Sequence, residues 1–259
     1  MDNFNNSQTV DEQYATTKSL DTRISIHDKY STNKQGFGSW VVSHYHFQKD
    51  YKVLELGAGN GHLWKGNESI YLLPSLLVIS DLSEKMLESS KKSLGNHPNI
   101  QYQLIDIQDI PYEDKSFDII IANMMLYHVN DLNKALSEVR RTLKDGGLFY
   151  AATYGENGIN GYLSGLFAEY GIKTSFNNSF TMQNGKDKLA PFFHIIERYD
   201  YEDSLLVTSI DDMVDYIFSL ASMSEFGKLS RVLVKEVLQK QMVAGTLSIP
   251  KEYGLYVAK

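Results

Sequence analysis

The stretch Val53-Leu54-Glu55-Leu56-Gly57-Ala58-Gly59-Asn60-Gly61 sets one acid and three glycines directly behind apolar side chains. Glycine lets backbone approach a ligand because it has no Cβ, and it adopts positive φ readily. Loops of this kind serve nucleotide sites, where backbone N–H groups face the ligand. The dinucleotide fingerprint G-x-G-x-x-G would need glycine at position 62, where this chain has His62; Gly61 comes one place early. Further on, Asp81 ends a second apolar run, where a carboxylate can take a pair of ribose hydroxyls. That acid serves nicotinamide and adenosyl cofactors alike, so the residues alone leave both open.

Three other positions carry candidate chemistry. Glu55 is an acid in an otherwise apolar strand, which is costly to bury without a partner. His128, in "MMLYHVND", is a candidate general base because imidazole titrates near neutral pH. Its plainer reading is a structural histidine hydrogen-bonded at the start of the next helix. His44 and His46 are expected on a helix, where residues two apart do not face each other, so no metal site is expected there. His194 falls in an expected strand and reads as structural, and Tyr154, Tyr162 and Tyr170 fall beside the expected mouth of the site.

The elements that must position these groups alternate regularly. "YKVLELG", "SLLVISD", "NIQYQLIDI", "FDIIIANMM" and "GGLFYAATY" read as strands, the fourth so continuously apolar that both its faces should be covered. Helical periodicity separates them, with Ser83 and Asp131 as expected N-caps and Gly95 and Gly146 as expected C-terminal stops. Leu132, Ala135, Leu136, Val139 and Leu143 form one core stripe. Two short helices are expected between Leu20 and Phe47, around "STNKQGFG". Strand–helix alternation of this kind means a doubly wound α/β sheet. Beyond Tyr154 the pattern breaks into a Gly/Asn-rich stretch, then strand character in "FFHIIERYDYE", a helix opened by Ser209, a last helix in "LSRVLVKEVLQKQMV" and a terminal strand in "YGLYVAK". The extra helices are expected over the carboxyl ends of the strands, where open α/β sheets bind ligands.

The 259 residues suit one large domain, and 42% apolar with 22% charged residues is an ordinary globular composition. A net charge of -7 argues against broad nucleic-acid binding. The absence of cysteine excludes disulfides, thiolate metal sites and thiolate nucleophiles. Residues 1 to about 20 read as loosely ordered and carry no apolar leader, so a cytoplasmic protein away from membranes is expected. Oligomeric state is not legible.

"VLELGAGNGHL", "ISDLSEKMLESSKK", "IDIQDIPYEDKSFDIIIANMMLYHVND" and "LKDGGLFYAATYGENG", in this order, resemble class I S-adenosylmethionine-dependent methyltransferases, nearest the type-11, ubiquinone-biosynthesis-like branch. The resemblance covers roughly residues 50 to 155. It implies a Rossmann-like, mostly parallel seven-stranded sheet with an antiparallel last strand. An N-terminal helical cap over 1–48 would precede a methyltransferase domain over 49–259, with helical insertions near 155–190 and 203–245. It implies S-adenosylmethionine as cofactor. Glu55 would order the loop, Gly57, Ala58, Gly59 and Gly61 would pass under the methionine portion, and Asp81 would take the ribose. Leu82 and Met86 would pack near the adenine, with Asp106 and the Ile107 backbone at its edge and Asn123 toward the sulfonium. "LDTRISIHDKYSTN" is similar to the N-terminal cap of some relatives, which would make Arg23 and Tyr30 candidates for the cofactor carboxylate.

Within that family, "NMML" after the fourth strand disfavours the branch marked by an Asn/Asp-Pro-Pro-aromatic tetrad. Without cysteine, neither carbon-5 pyrimidine methylation nor radical iron–sulfur chemistry is available. The expected reaction is in-line methyl transfer to O, N or an activated carbon of a small molecule, with His128 as the candidate base. The alternatives are an RNA methyltransferase, a nicotinamide dehydrogenase and a non-catalytic S-adenosylmethionine-binding protein.

Overall fold

The apolar runs become neighbouring parallel strands because each presents side chains to two covered faces. In the computed structural model, which describes residues 17–172, 177–220 and 225–259, the chain forms one seven-stranded sheet. Helices α1 (Thr17–Tyr30) and α2 (Phe37–Val42) precede β1 (Lys52–Glu55). Next come α3 (Glu68–Tyr71), β2 (Leu76–Asp81), α4 (Glu84–Leu94), β3 (Ile100–Leu104), β4 (Phe117–Ile121), α5 (Leu132–Thr142) and β5 (Leu143–Tyr154). The remainder comprises α6 (Ile159–Leu166), α7 (Gly185–Leu189), β6 (Ile196–Val207), α8 (Ile210–Ser219), α9 (Arg231–Lys240) and β7 (Leu247–Ala258). The strand order is β3-β2-β1-β4-β5-β7-β6. β1 to β5 pair in parallel, and β7 runs antiparallel to β5. The doubly wound seven-stranded sheet expected from the sequence is thus the observed one.

The two faces divide the strands residue by residue, as a period of two requires. Leu54, Val78, Ile120, Phe149 and Ala151 enter one core cluster, with Ala135, Leu136 and Val139 of α5. Val53, Leu77, Ile79, Ile119, Ile121, Tyr150 and Ala152 enter another, with Val41 and Val42 of α2. Each fully buried aliphatic side chain contributes roughly 1.5–3 kcal/mol.

The chain divides into two compact units. One holds residues 37–154, 177–201 and 253–259, and with them β1 to β5. The other holds residues up to Gly36, 155–176 and 202–252. Its own core joins Ile26 of α1, Leu163 and Phe167, Leu205 and Val207, Met213 and Ile217 of α8, Val234 and Leu238 of α9, and Leu247 and Ile249.

Local signals are met at most helix starts. Ser83 accepts from Met86 N–H, Asp131 from Lys134 N–H, and Ser209 from Asp212 N–H. Gly146 does not stop α5. That helix ends at Thr142, whose hydroxyl bonds back to the Glu138 carbonyl, and Leu143 is already extended and paired with Phe117. His44 and His46 lie beyond α2 rather than on it, because the helix ends at Val42. His194 is exposed and precedes β6. Of the segment expected to be loosely ordered, residues 1–16 lie outside the described residues.

Glu55 is the one acid in β1, and it is buried. Its carboxylate accepts the Trp64 indole N–H at 2.5 Å. Burial pushes the Glu55 carboxyl up to about 7, against the Trp64 hydrogen bond that favours its ionised form. The folded chain therefore holds this proton more tightly than the unfolded chain does. The stability this group contributes is full below its unfolded value near 4.5 and is lost as pH rises through about 7. Glu55→Gln keeps an acceptor for Trp64 and should remove that pH dependence. Urea unfolding at about pH 5 and about pH 8 should show the unmodified chain losing roughly 2–3 kcal/mol more than the variant. Equal losses would eliminate Glu55 as the source.

Candidate functional site

The loop after β1 is left-handed at Gly57 (φ 67°), Gly59 (φ 59°) and Gly61 (φ 73°), a region open to glycine at little cost. At Gly57 there is a second reason. A Cβ there would lie 2.9 Å from Met125 Cβ and Cγ, so only hydrogen allows the loop to close on the segment after β4.

The loop's own N–H groups are largely engaged within the protein. Ala58 N–H donates to the Ser80 carbonyl at 2.9 Å, Gly59 N–H to Asp81 Oδ2 at 2.8 Å, and Gly61 N–H to the Ala58 carbonyl at 3.1 Å. The Ser90 hydroxyl of α4 donates to the Gly59 carbonyl at 2.7 Å. The loop runs into a 3-10 turn, His62–Trp64, and then into the single-turn helix α3. A bridged diphosphate needs open N–H groups at the start of a long helix. This loop has three of its N–H groups engaged and leads into a short turn instead, so it is poorly built for a dinucleotide pyrophosphate.

Asp81 leaves β2 half-buried with both oxygens engaged, Oδ2 by Gly59 N–H and Oδ1 by Ser83 N–H at 2.9 Å. A carboxylate oxygen has two lone pairs, so each retains capacity for a hydroxyl. Beside it Leu82 is 58% exposed, an apolar side chain left on the surface at the carboxyl end of the sheet. Met86 is half-buried on the first turn of α4. Asp106 folds onto its own turn, accepting from Gln108 N–H at 2.8 Å, while Ile107 is buried in the core. Gln108 in turn accepts from Asp131 N–H, tying this turn to the start of α5.

Asn123 follows β4. Its Nδ2–H donates to the Tyr45 hydroxyl at 2.5 Å, and its Oδ1 is buried without a hydrogen-bond partner among the described residues. The next residue, Met124, has φ 53°, a strained value for a side chain with a Cβ, and its N–H is held by the Ala152 carbonyl. His128 ends a 3-10 turn (Leu126–His128), with its ring centroid 4.5 Å from that of Tyr127. Burial lowers its pKa, so the imidazole is neutral at neutral pH. Tyr127 also packs on Tyr154, whose hydroxyl donates to the Asn177 carbonyl at 2.8 Å.

Glu55, the loop glycines, Asp81, Leu82, Met86, Asp106, Ile107, Asn123 and His128 therefore share one unit, at or beyond the carboxyl ends of parallel strands. Arg23 and Tyr30 lie on α1 in the other unit. Tyr30 donates its hydroxyl proton to Asp212 of α8 at 2.7 Å. Tyr45, Trp64, Ser80 and Ser90 were not legible as site residues. Trp64, so soon after three glycines, was the one available signal, since a buried indole N–H needs an acceptor.

The methyltransferase-domain family, type 11, matches residues 54–151. The chain is 31% identical over 107 residues to the malonyl-[acyl-carrier protein] O-methyltransferase of Halalkalibacterium halodurans, covering 40% of this chain and 39% of that protein. It is 33% identical over 129 residues to the ubiquinone/menaquinone biosynthesis C-methyltransferase UbiE of Francisella philomiragia, covering 49% and 51%. The chain thus spans about half or less of the length of these curated relatives. Among solved structures, phosphoethanolamine N-methyltransferase 2 of Haemonchus contortus, in complex with S-adenosyl-L-methionine, shares the fold. Its TM-score is 0.60 at 16% identity, covering 100% of this chain and 60% of that one. Over residues 54–151 this chain is thus similar to methyltransferase domains of the type-11 family, and its strand order is that of the solved methyltransferase fold.

Proposed function

We propose that the protein binds S-adenosylmethionine and transfers its methyl group to O, N or an activated carbon of a small-molecule acceptor. The observation that carries this reading is the closed glycine loop. Three of its N–H groups, those of Ala58, Gly59 and Gly61, are used internally and it leads into a short turn, which suits an aminoacyl group better than a diphosphate. The orphaned, buried Asn123 Oδ1 fits the same reading, since an unpaired acceptor suits a cationic ligand.

In this assignment Gly57, Ala58, Gly59 and Gly61 underlie the aminoacyl part, and Asp81 accepts from the ribose hydroxyls. Leu82 and Met86 cover the adenine, with Asp106 and the Ile107 backbone at its edge. Arg23 and Tyr30 are the candidates for the cofactor carboxylate. When bound, the cofactor supplies an electrophilic methyl on sulfur. The chain's task is then to orient the acceptor and keep water out, which in favourable cases lowers a barrier by about 7–11 kcal/mol. A neutral, half-buried His128 can take a proton from a hydroxyl or ammonium acceptor. No helix among the described residues is long and apolar enough to cross a membrane, and a cytoplasmic location belongs to this proposal.

Thermal-shift comparison of S-adenosylhomocysteine with NAD should show stabilisation by the former alone; stabilisation by NAD alone would reverse the assignment. Asp81→Ala removes an acid that also ties down Gly59, and should weaken S-adenosylhomocysteine binding by on the order of 10–100-fold. An unaltered dissociation constant would refute the ribose role. His128→Ala should cut turnover on a hydroxyl or amine acceptor by about 10²–10⁴-fold while leaving cofactor affinity intact. Unchanged turnover would remove His128 from the mechanism.

A further inference from the structure

The Asn123 amide has a donor end and an acceptor end, and the protein satisfies only the donor. The group that fixes this choice lies outside residues 54–151, in the link between α2 and β1. Tyr45 is 7% exposed there, and its ring cannot swing. It stacks on Phe47 (centroids 5.3 Å apart, interplanar angle 5°) and meets the rings of Tyr150 at 5.0 Å and Trp64 at 5.8 Å. Tyr150 is itself engaged, accepting from His46 N–H.

Burial first, and then the Glu55 carboxylate nearby, push the Tyr45 phenol well above its ordinary range. It therefore stays a neutral, immobile group through any working pH. With its Nδ2–H on the Tyr45 hydroxyl, the Asn123 amide has Oδ1 pointing elsewhere. The backbone places Asn123 just beyond the carboxyl end of β4. Ala122 N–H is bonded to Tyr150 and Leu56 N–H to Ile121, so Asn123 begins where β1 gives way to the glycine loop. Met125, two residues on, is the side chain against which Gly57 packs.

We propose that Tyr45 is a positioning residue: by accepting the Asn123 Nδ2–H, it fixes the amide so that Oδ1 is presented to the positively charged aminoacyl-sulfonium part of the bound cofactor. The reverse orientation would aim an N–H donor at a cation. This role rests on the reading that the chain binds S-adenosylmethionine.

The test is calorimetric titration of the full chain and its variants with S-adenosylmethionine and S-adenosylhomocysteine. Tyr45→Phe deletes only the hydroxyl and should weaken S-adenosylmethionine binding by about tenfold, with a cooperative thermal transition retained. Asn123→Ala should weaken it at least as much. The double variant should lose no more than Asn123→Ala alone, because both residues act through one oxygen. A loss shared by both ligands assigns the ammonium as the donor, and a loss confined to S-adenosylmethionine assigns the sulfonium methyl.

Additive losses, or affinity within about twofold in a folded Tyr45→Phe chain, would overturn the role of Tyr45 while leaving the cofactor assignment standing. Failure of the unmodified chain to bind either compound would overturn both. Should Tyr45→Phe not fold, Asn123→Asp decides. There the Tyr45 hydroxyl donates to one carboxylate oxygen and leaves the other for the cofactor, so affinity should stay within about threefold of the unmodified chain. A loss as large as that of Asn123→Ala would overturn the proposal.

Discussion

One carboxylate holds the glycine loop to the sheet. Asp81 accepts the N–H of Gly59 from one side and that of Ser83 from the other, so the end of β2, the glycine loop and the entry to α4 share an acid. Hydrogen bonds to an ionised group are the stronger class, worth roughly 1.5–3 kcal/mol each. Neighbouring contacts complete the frame, with the Ser80 carbonyl taking Ala58 N–H, the Ser80 hydroxyl reaching the Glu55 carbonyl, and Ser90 bonding the Gly59 carbonyl. Because β1 and β2 are parallel and in register from Lys52 against Leu76 to Glu55 against Ile79, their ends stand side by side and these short bonds can form. The loop is thereby shaped before any ligand arrives, which spares binding the cost of ordering it.

Beneath the loop lies a polar seam in an otherwise apolar interior. Glu55 meets Trp64, Trp64 packs on Tyr45, and Tyr45 holds Asn123. A buried acid without a donor would be costly; here the indole N–H supplies one, and protonation near neutral pH removes much of the remaining penalty. The two sites of the seam come from β1 and from the residue after β4, strands that are adjacent in the sheet although far apart in sequence.

The second unit has its own buried polar centre. Lys251 pairs with Asp203, their side chains 5% and 0% exposed, and also donates to the Ser31 hydroxyl at 2.8 Å. Asp203 further accepts from Asn33 N–H and the Thr32 hydroxyl. The residues after α1 are thus fastened to β6 and β7. Burial pushes the neighbouring His27 down to about 4, so it stays neutral and adds no charge to the ion pair. In this unit Tyr30 also bonds Asp212 of α8.

Features carried by neighbouring residues were legible in the sequence. The five central strands were readable from apolar runs, the starts of α4, α5 and α8 from Ser83, Asp131 and Ser209, and the loop from glycines whose positive φ a Cβ would oppose. Each of these depends on contacts within a few residues, so composition and spacing suffice to reveal them. The early end of α5 was hidden because Leu143 fits a helical stripe and a buried strand equally well; pairing with Phe117 decides for the strand. The hold of Tyr45 on Asn123, the engagement of Glu55 by Trp64 and the turn of Tyr30 toward Asp212 were hidden more deeply. A tyrosine or an asparagine can meet many partners, and only the packing of strands and helices brings one within hydrogen-bond reach. The sequence by itself determined the central strands of the sheet and the loop that follows the first of them. Tertiary structure alone decided which side chains share the site and which way their polar ends point, because that depends on distances between residues the chain does not keep close.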